Sequence, residues 1–409
     1  MILVLGLAGC DSTVTGNPTH TGPADDHVVI ARLDTGVYPT TAGAPFGTAG
    51  ADPKDSGLLE AQRLGAFVVG PWQVDAPLRA RGDITQTAVT GPIPSAVQLG
   101  RQQIVAEPLP AIAAAHGFLA GFSSYRESVA GSGPLRALQN TVMRFPDPVA
   151  AAAAATEMAA ANPPPAGTTG APTRIGFHPD ALATRYEIPG QAYSAQSFSA
   201  HGPYVLYQKS TATSEFLSAT PELMIDKTLT SQKRMIDQFE PTAVAAMAEL
   251  PKDPTGQLLA KTLWSQDNRA PFVLGAWQPR AWLHFEDDPL ESSARFDRAG
   301  VDAVAQRLAT VYRARSSDGA RRLSAQMAED LRTTPGVSAL GVVSGLPDAK
   351  CFRRTDPLLP ATATASWLRI DWHFKCVAKT ERYAFTVFSE QEDDVMQQVS
   401  AQWRILAGR

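Results

Sequence analysis

A chain of 409 residues exceeds one ordinary domain and suits two or three. With 44% hydrophobic and 19% charged residues, wholesale disorder is excluded. The 36 Lys+Arg against 40 Asp+Glu leave a net charge of −4, with no basic excess to neutralise nucleic-acid phosphates, and no apolar run reaches the roughly eighteen residues of a spanning helix.

In chain order, Met1 to Cys10 is apolar up to the cysteine, and Leu7-Ala8-Gly9-Cys10 has the form of a bacterial lipobox. Small residues before the cysteine fit a signal-peptidase groove, and the Cys10 thiol would carry the diacylglycerol that anchors the chain to a membrane. The competing reading is a buried N-terminal strand that contains a cysteine. The polar stretch Asp11–Asp26 favours the lipobox, being a poor core strand and a natural flexible tether. Thr13, Thr15, Thr19 and Thr21 in that tether could accept O-linked sugars, although a plain linker accounts for them. No Lys or Arg precedes Ile2, so the true start is expected upstream. At about 0.8 kcal/mol per buried methylene, two acyl chains hold a protein firmly where one does not.

The remaining sequence reads as two α+β domains, 27–211 and 212–409, each with an antiparallel sheet packed by helices. The first begins with a strand at Val28–Leu33, a Gly/Pro/Thr-rich loop to Asp55, and a helix from Ser56, its cap, to Phe67. Strands are expected at Gly117–Phe122 and Leu138–Phe145. An Asp147-capped, Ala-rich helix then runs to Ala161 and is ended by Pro163–Pro165. Strands at Tyr193–Ala200 and Tyr204–Tyr207 turn at Gly202-Pro203. From Thr213 the pattern becomes helical. Val301, Val304, Leu308, Val311 and Tyr312 predict a helix over Arg298–Ala314, and Leu323, Met327 and Leu331 another over Ala320–Leu331. A strand, a loop (Asp356–Ser366), two strands and a helix follow, the last opening on the capping-box pattern Ser389-Glu-Gln-Glu392. Thr141–Asp147 and Phe385–Glu390 both lead a strand into a helix, an echo that suggests two related β-β-α units.

Cys351 and Cys376 enclose 24 residues, and Leu368, Ile370, Trp372, Phe374 and Cys376 alternate with polar residues, placing Cys376 on the apolar face of a strand. Pairing the two leaves no odd thiol once Cys10 is lipidated, and a disulfide persists in an oxidising compartment. No Cys-x-x-Cys or clustered histidine supports a metal reading of the pair.

Chemistry-bearing residues are dispersed. None of His20, His27, His116, His178, His201, His284 and His373 has the partner spacing of a helical metal site. His284, Glu286, Asp287, Asp288 and Glu291 form the densest ligand-capable patch, a weak calcium candidate against the simpler reading of a solvated acidic loop. Glu390, Glu392, Asp393 and Asp394 suit a helix N-terminus. No Gly-x-Ser-x-Gly elbow, phosphate loop or dinucleotide fingerprint occurs, and Arg81-Gly82-Asp83 recurs too readily by chance to mean adhesion. Seven tryptophans fall mostly within apolar periodicities and read as core. No cofactor is expected.

Leu7–Cys10, Ala31–Thr40, Val69–Trp72, Gln139–Phe145, His178–Ala181, His201–Leu206, Ala299–Asp302 and the closing Phe385–Trp403 together resemble uncharacterised cell-envelope lipoproteins of mycobacteria, nocardiae and relatives. The resemblance implies an extracytoplasmic lipoprotein with two α+β domains and brings no catalytic residue. The expected function is non-catalytic binding of an envelope lipid, glycan or protein, with the membrane reached through Cys10 and no nucleic-acid partner. The alternatives are a hydrolase assembled from dispersed residues such as Ser124, His201 and His284, and an assembly factor.

Overall fold

The computed structural model describes residues 27–82, 89–188, 192–264, 273–355 and 372–409. Cys10 with its lipobox, the 11–26 tether, His20, Asp83, the 356–366 loop, Trp367 and the expected strand positions 368–371 lie outside them.

In the first half, Asp52 and not Ser56 caps the opening helix. Its carboxylate accepts from the Lys54 N–H at 2.9 Å and Pro53 takes the first position, so α1 spans Pro53–Leu64. There follow α2 (Pro71–Val74), β1 (Leu78–Ala80), β2 (Gly91–Ile93), α3 (Ala96–Arg101), α4 (Leu109–Ala115), β3 (Ala120–Ser128) and β4 (Arg136–Arg144). Asp147 caps α5 (Pro148–Ala161) as expected, accepting from the N–H groups of Val149 and Ala150. Then come β5 (Gly170–Ile175), β6 (His178–Ile188), β7 (Ala192–His201), β8 (Tyr204–Ala212) and α6 (Thr220–Ile236).

The second half contains β9 (Gly275–Trp277), α7 (Pro279–Trp282), α8 (Pro289–Ala299), β10 (Val301–Gln306), β11 (Thr310–Ala314), α9 (Ser317–Thr333), β12 (Val337–Ala339), β13 (Lys350–Arg354), β14 (Phe374–Thr380), β15 (Tyr383–Ser389) and α10 (Glu392–Ala407). The helix expected over 298–314 is therefore the β10–β11 hairpin. Gly300, at φ +66°, ends α8 in the left-handed region. Beyond it the strands are buried on both faces. Ala303, Ala305 and Val311 enter one core while Val304 and Tyr312 enter another, and apolar residues on two faces mimic a helical stripe. At the last helix Ser389 does not cap in the box geometry. Its hydroxyl donates to Asp394 Oδ2 at 2.5 Å and the helix begins at Glu392.

The two halves repeat one topology. The first sheet has the order β1-β3-β4-β8-β7-β6-β5 and the second β12-β13-β14-β15-β11-β10-β9, antiparallel at every pairing among the described residues. Reversing the second list makes β10-β11-β15-β14-β13-β12 the counterpart of β3-β4-β8-β7-β6-β5. In each half a hairpin and a helix (α5 or α9) are followed by two strands, a second hairpin and a second helix (α6 or α10). The sequence echo aligned the first unit of one half with the second of the other. The two helices of each half cover opposite faces: α5 packs on Phe198 and Tyr207, and α6 on Leu206 and Val142. In the second half α9 packs on Val304 and Tyr312, and α10 on Val311 and Phe385.

Two expected domain limits move. Residues 27–46 carry a 3₁₀ turn at Ile30–Arg32, not a strand, and lie along the second half. The Val29 N–H meets Gly345 O at 2.9 Å, the Gly43 N–H meets Ala260 O at 2.9 Å, and the Tyr38 hydroxyl donates to Asp394 at 2.6 Å. Conversely α6 sends Ile225, Leu229 and Ile236 onto the first sheet, so a division at 211/212 would part that helix from the strands it covers. One hydrophobic core runs across both halves, joining Leu64, Trp72, Phe122 and Leu206 to Trp277, Trp282, Phe285 and Tyr312. Cys351 and Cys376 sit opposite each other on β13 and β14 and form a disulfide.

Candidate functional site

The acidic patch and the histidine before it do not converge. His284 is 2% exposed and lies in the shared core, its ring against Trp72 and Phe122 with centroids 5.1 and 4.9 Å away. The Glu286 carboxylate is saturated by Trp282 Nε1 at 2.6 Å, the Tyr312 hydroxyl at 2.9 Å and Ser292 Oγ at 3.0 Å. Asp287 pairs with Arg81 at 2.8 Å, and Asp288 caps α8 while pairing with Arg79 at 3.0 Å. His284, Glu286, Asp287 and Asp288 thus have separate structural duties, and among the described residues no group of three ligand-type side chains gathers for a metal ion. Adjacency in sequence suggested a cluster, but the chain turns at each residue.

Of the dispersed hydrolase candidates, Ser124 and His284 do meet. Ser124 Oγ lies 2.8 Å from His284 Nδ1. The other ring nitrogen faces Gly65 O at 3.1 Å, so Nε2 carries the proton, Nδ1 accepts from the serine, and no carboxylate orients the ring. Burial, helped by Arg126, pulls the imidazole down to about 3. Ser124 is wholly buried beside the neutral ring, so the pair lies in the core and away from solvent. His201 is elsewhere, paired with Asp237 at 2.6 Å.

Sequence reasoning missed Arg126, which bridges the halves while 1% exposed. Its guanidinium donates to Arg79 O at 3.0 Å, His284 O at 2.9 Å and Glu286 O at 2.7 Å, and burial lowers it to about 9. The only sequence signal is an Arg where the alternation of β3 puts an inward side chain.

One accessible concave feature is a cleft of about 350 Å³ between α8, α9 and the second sheet. Burial along α9 is greatest at its start. Gly319, Ala320 and Leu323 are fully buried, whereas Met327 and Leu331 further along are only half-buried. Gly319 permits the close end, since a Cβ there would meet Ala299 O at 2.2 Å. The floor is Tyr312 from β11, Val377 from β14 and Phe388 from β15. At the edge Arg295 pairs with Asp330 and lies 3.8 Å from Glu291, and burial raises the Asp330 carboxyl. The hydroxyls of Ser292, Thr310 and Thr334 are committed to Glu286, Gln306 and Asp330 O respectively. The lining therefore offers an apolar floor and a charged rim, with no Ser–His or Cys–His pair among its members.

Residues 47–252 match the N-terminal model, and residues 258–409 the C-terminal model, of a family described as a domain of unknown function, DUF7373. No curated protein matches. Among solved structures, the extracellular domain of PknH from Mycobacterium tuberculosis is similar at 12% identity and a TM-score of 0.29, over 42% of this chain and 96% of that one. CalU16 from Micromonospora echinospora is similar at 14% identity and a TM-score of 0.16, over 29% of this chain and 87% of that one.

Proposed function

We propose that this chain, which belongs to the DUF7373 family, is a lipid-anchored envelope protein that binds a small amphipathic molecule in the cleft between α8, α9 and the second sheet, without catalysis. The observation that carries the reading is the cleft itself. Its volume lies in the range that takes a small organic ligand, and it combines an apolar floor with a few fixed polar groups. An apolar body would rest on Tyr312, Met327 and Phe388 while a polar end meets Arg295 and Asp330. The disulfide fits an oxidising, extracytoplasmic compartment. Anchoring through Cys10 would bring the second half nearest the membrane, because residues 27–46 are bound along that half.

Native mass spectrometry of protein purified from its own envelope tests the proposal. Wild type should carry a retained ligand mass, and Met327→Trp, which fills the cleft from a half-buried position, should not. A wild type without bound mass, or a variant that retains it equally, would refute the assignment.

A further inference from the structure

We propose a second ligand site, in the first half: a depression of about 490 Å³ in which Lys209 Nζ and Gln196 Nε2 take an oxyanion of a small polar ligand. The two residues sit opposite each other on β8 and β7, on the face covered by α5. Gln196 is 7% exposed, and its amide orientation is fixed by two donors. Asn162 Nδ2 at 3.0 Å and the Tyr207 hydroxyl at 3.1 Å both give their hydrogens to Gln196 Oε1. Burial drives the Tyr207 phenol upward, so it stays protonated and remains a donor. The amide nitrogen of Gln196 is thereby turned away from both, with no acceptor among the described residues. A ligand oxygen placed there would meet a donor whose direction is already fixed.

Lys209 beside it is reachable by solvent, yet crowded by the walls of the depression, which lowers its ammonium pKa. It has no ion pair among the described residues. Glu107, a carboxylate of the lining, leans on Gly100 instead, where a Cβ would lie 3.2 Å from its Oε1. Gln103 on the rim holds φ +55°, a left-handed conformation that a non-glycine residue rarely keeps without a local reason. Pro163–Pro165 form the facing wall and bring no N–H groups to compete for the anion. Topology places the depression beside the C-terminal end of α5, as the other cleft lies beside the C-terminal half of α9. The inference stands on the atoms of the first half alone, so failure of the second-half cleft to bind leaves it untouched.

A carboxylate on an acidic sugar and a phosphate on a polar headgroup present the same oxyanion, and the probes separate them. Lysine acylation followed by mass mapping is run with glucuronate, with glycerol 3-phosphate and with neutral glucose, using exposed Lys227 as the internal reference. One of the two anions should slow acylation of Lys209 several-fold relative to Lys227, and glucose should not. Whichever anion protects identifies the source. Gln196→Leu should weaken that protection several-fold, with a lowered thermal midpoint because Asn162 and Tyr207 lose their acceptor. Lys209→Met, at a solvent-reachable position, should abolish the heat of binding of the same anion in titration calorimetry. The proposal is overturned if neither anion protects Lys209, or if binding heat persists in Lys209→Met.

Discussion

The His284 imidazole provides a test of how the halves are joined. Its ordinary value of 6.5 falls to about 3 because burial disfavours the cation, with Arg126 adding to the effect. The folded value is depressed below the unfolded one. Folding therefore gains its full benefit from this group above pH 6.5 and loses it as pH falls toward 3. At about 1.4 kcal/mol per tenfold change in proton affinity, the whole window amounts to about 4–5 kcal/mol, of which about 2 kcal/mol disappears between pH 7 and pH 5. Many carboxylates also titrate in that range, so the measurement is a difference. Urea unfolding of wild type and of His284→Gln is followed at pH 7 and pH 5, Gln being able to keep one hydrogen bond to Ser124 or Gly65. Stability of the wild type should fall by about 2 kcal/mol more than that of the variant over this interval. Equal losses, or an NMR titration of His284 near its ordinary value, would refute the account of a neutral ring sealed between the halves.

Two further outcomes follow from the cysteines. Cys376→Ala opens a covalent loop of 24 residues and should lower stability by about 3 kcal/mol, read as a reduced urea midpoint that reductant no longer changes. Cys10→Ser should move the protein from the membrane fraction to the soluble fraction of its host. Retention at the membrane would remove the lipobox reading.

How much of this was legible in the sequence depends on whether a signal was local. The Asp147 cap followed by Pro148 and an alanine run and the Gly202-Pro203 turn are decided by neighbouring residues, and both elements lie where their chemistry placed them. Of the strand read around Cys376, only Phe374–Cys376 falls in β14, and positions 368–371 lie outside the described residues. The β10–β11 hairpin was misread because helices cover both faces of its sheet and abolish period-two alternation. The domain limits were misplaced because α6 and the 27–46 segment choose partners far along the chain, and no local pattern records that choice. The site was harder still. A Gln and a Lys on adjacent strands come together only through the register of β7 with β8, and the hollow beside α9 depends on the packing of that helix against α8 and the sheet.

The duplicated topology invites the view that each half is an independent domain, and the packing argues against it. Phe285 and His284 of the second half pack on Phe122 of the first, His284 also meets Trp72, and Trp277 and Trp282 stand behind Phe285 in a core that both halves line. A large apolar side chain such as Phe285 at that seam contributes about 1.5–3 kcal/mol, a sizeable share of the net stability of an ordinary domain. Separation would also take from Arg126 the carbonyl acceptors of His284 and Glu286, leaving a buried guanidinium with unpaired donors. Residues 47–252 produced alone should therefore bind a hydrophobic dye and melt without cooperativity, and adding residues 258–409 should restore a sharp transition in a non-covalent complex. A cooperative melt of 47–252 alone, at the midpoint of the whole chain, would show that the shared core only joins two domains that are already complete.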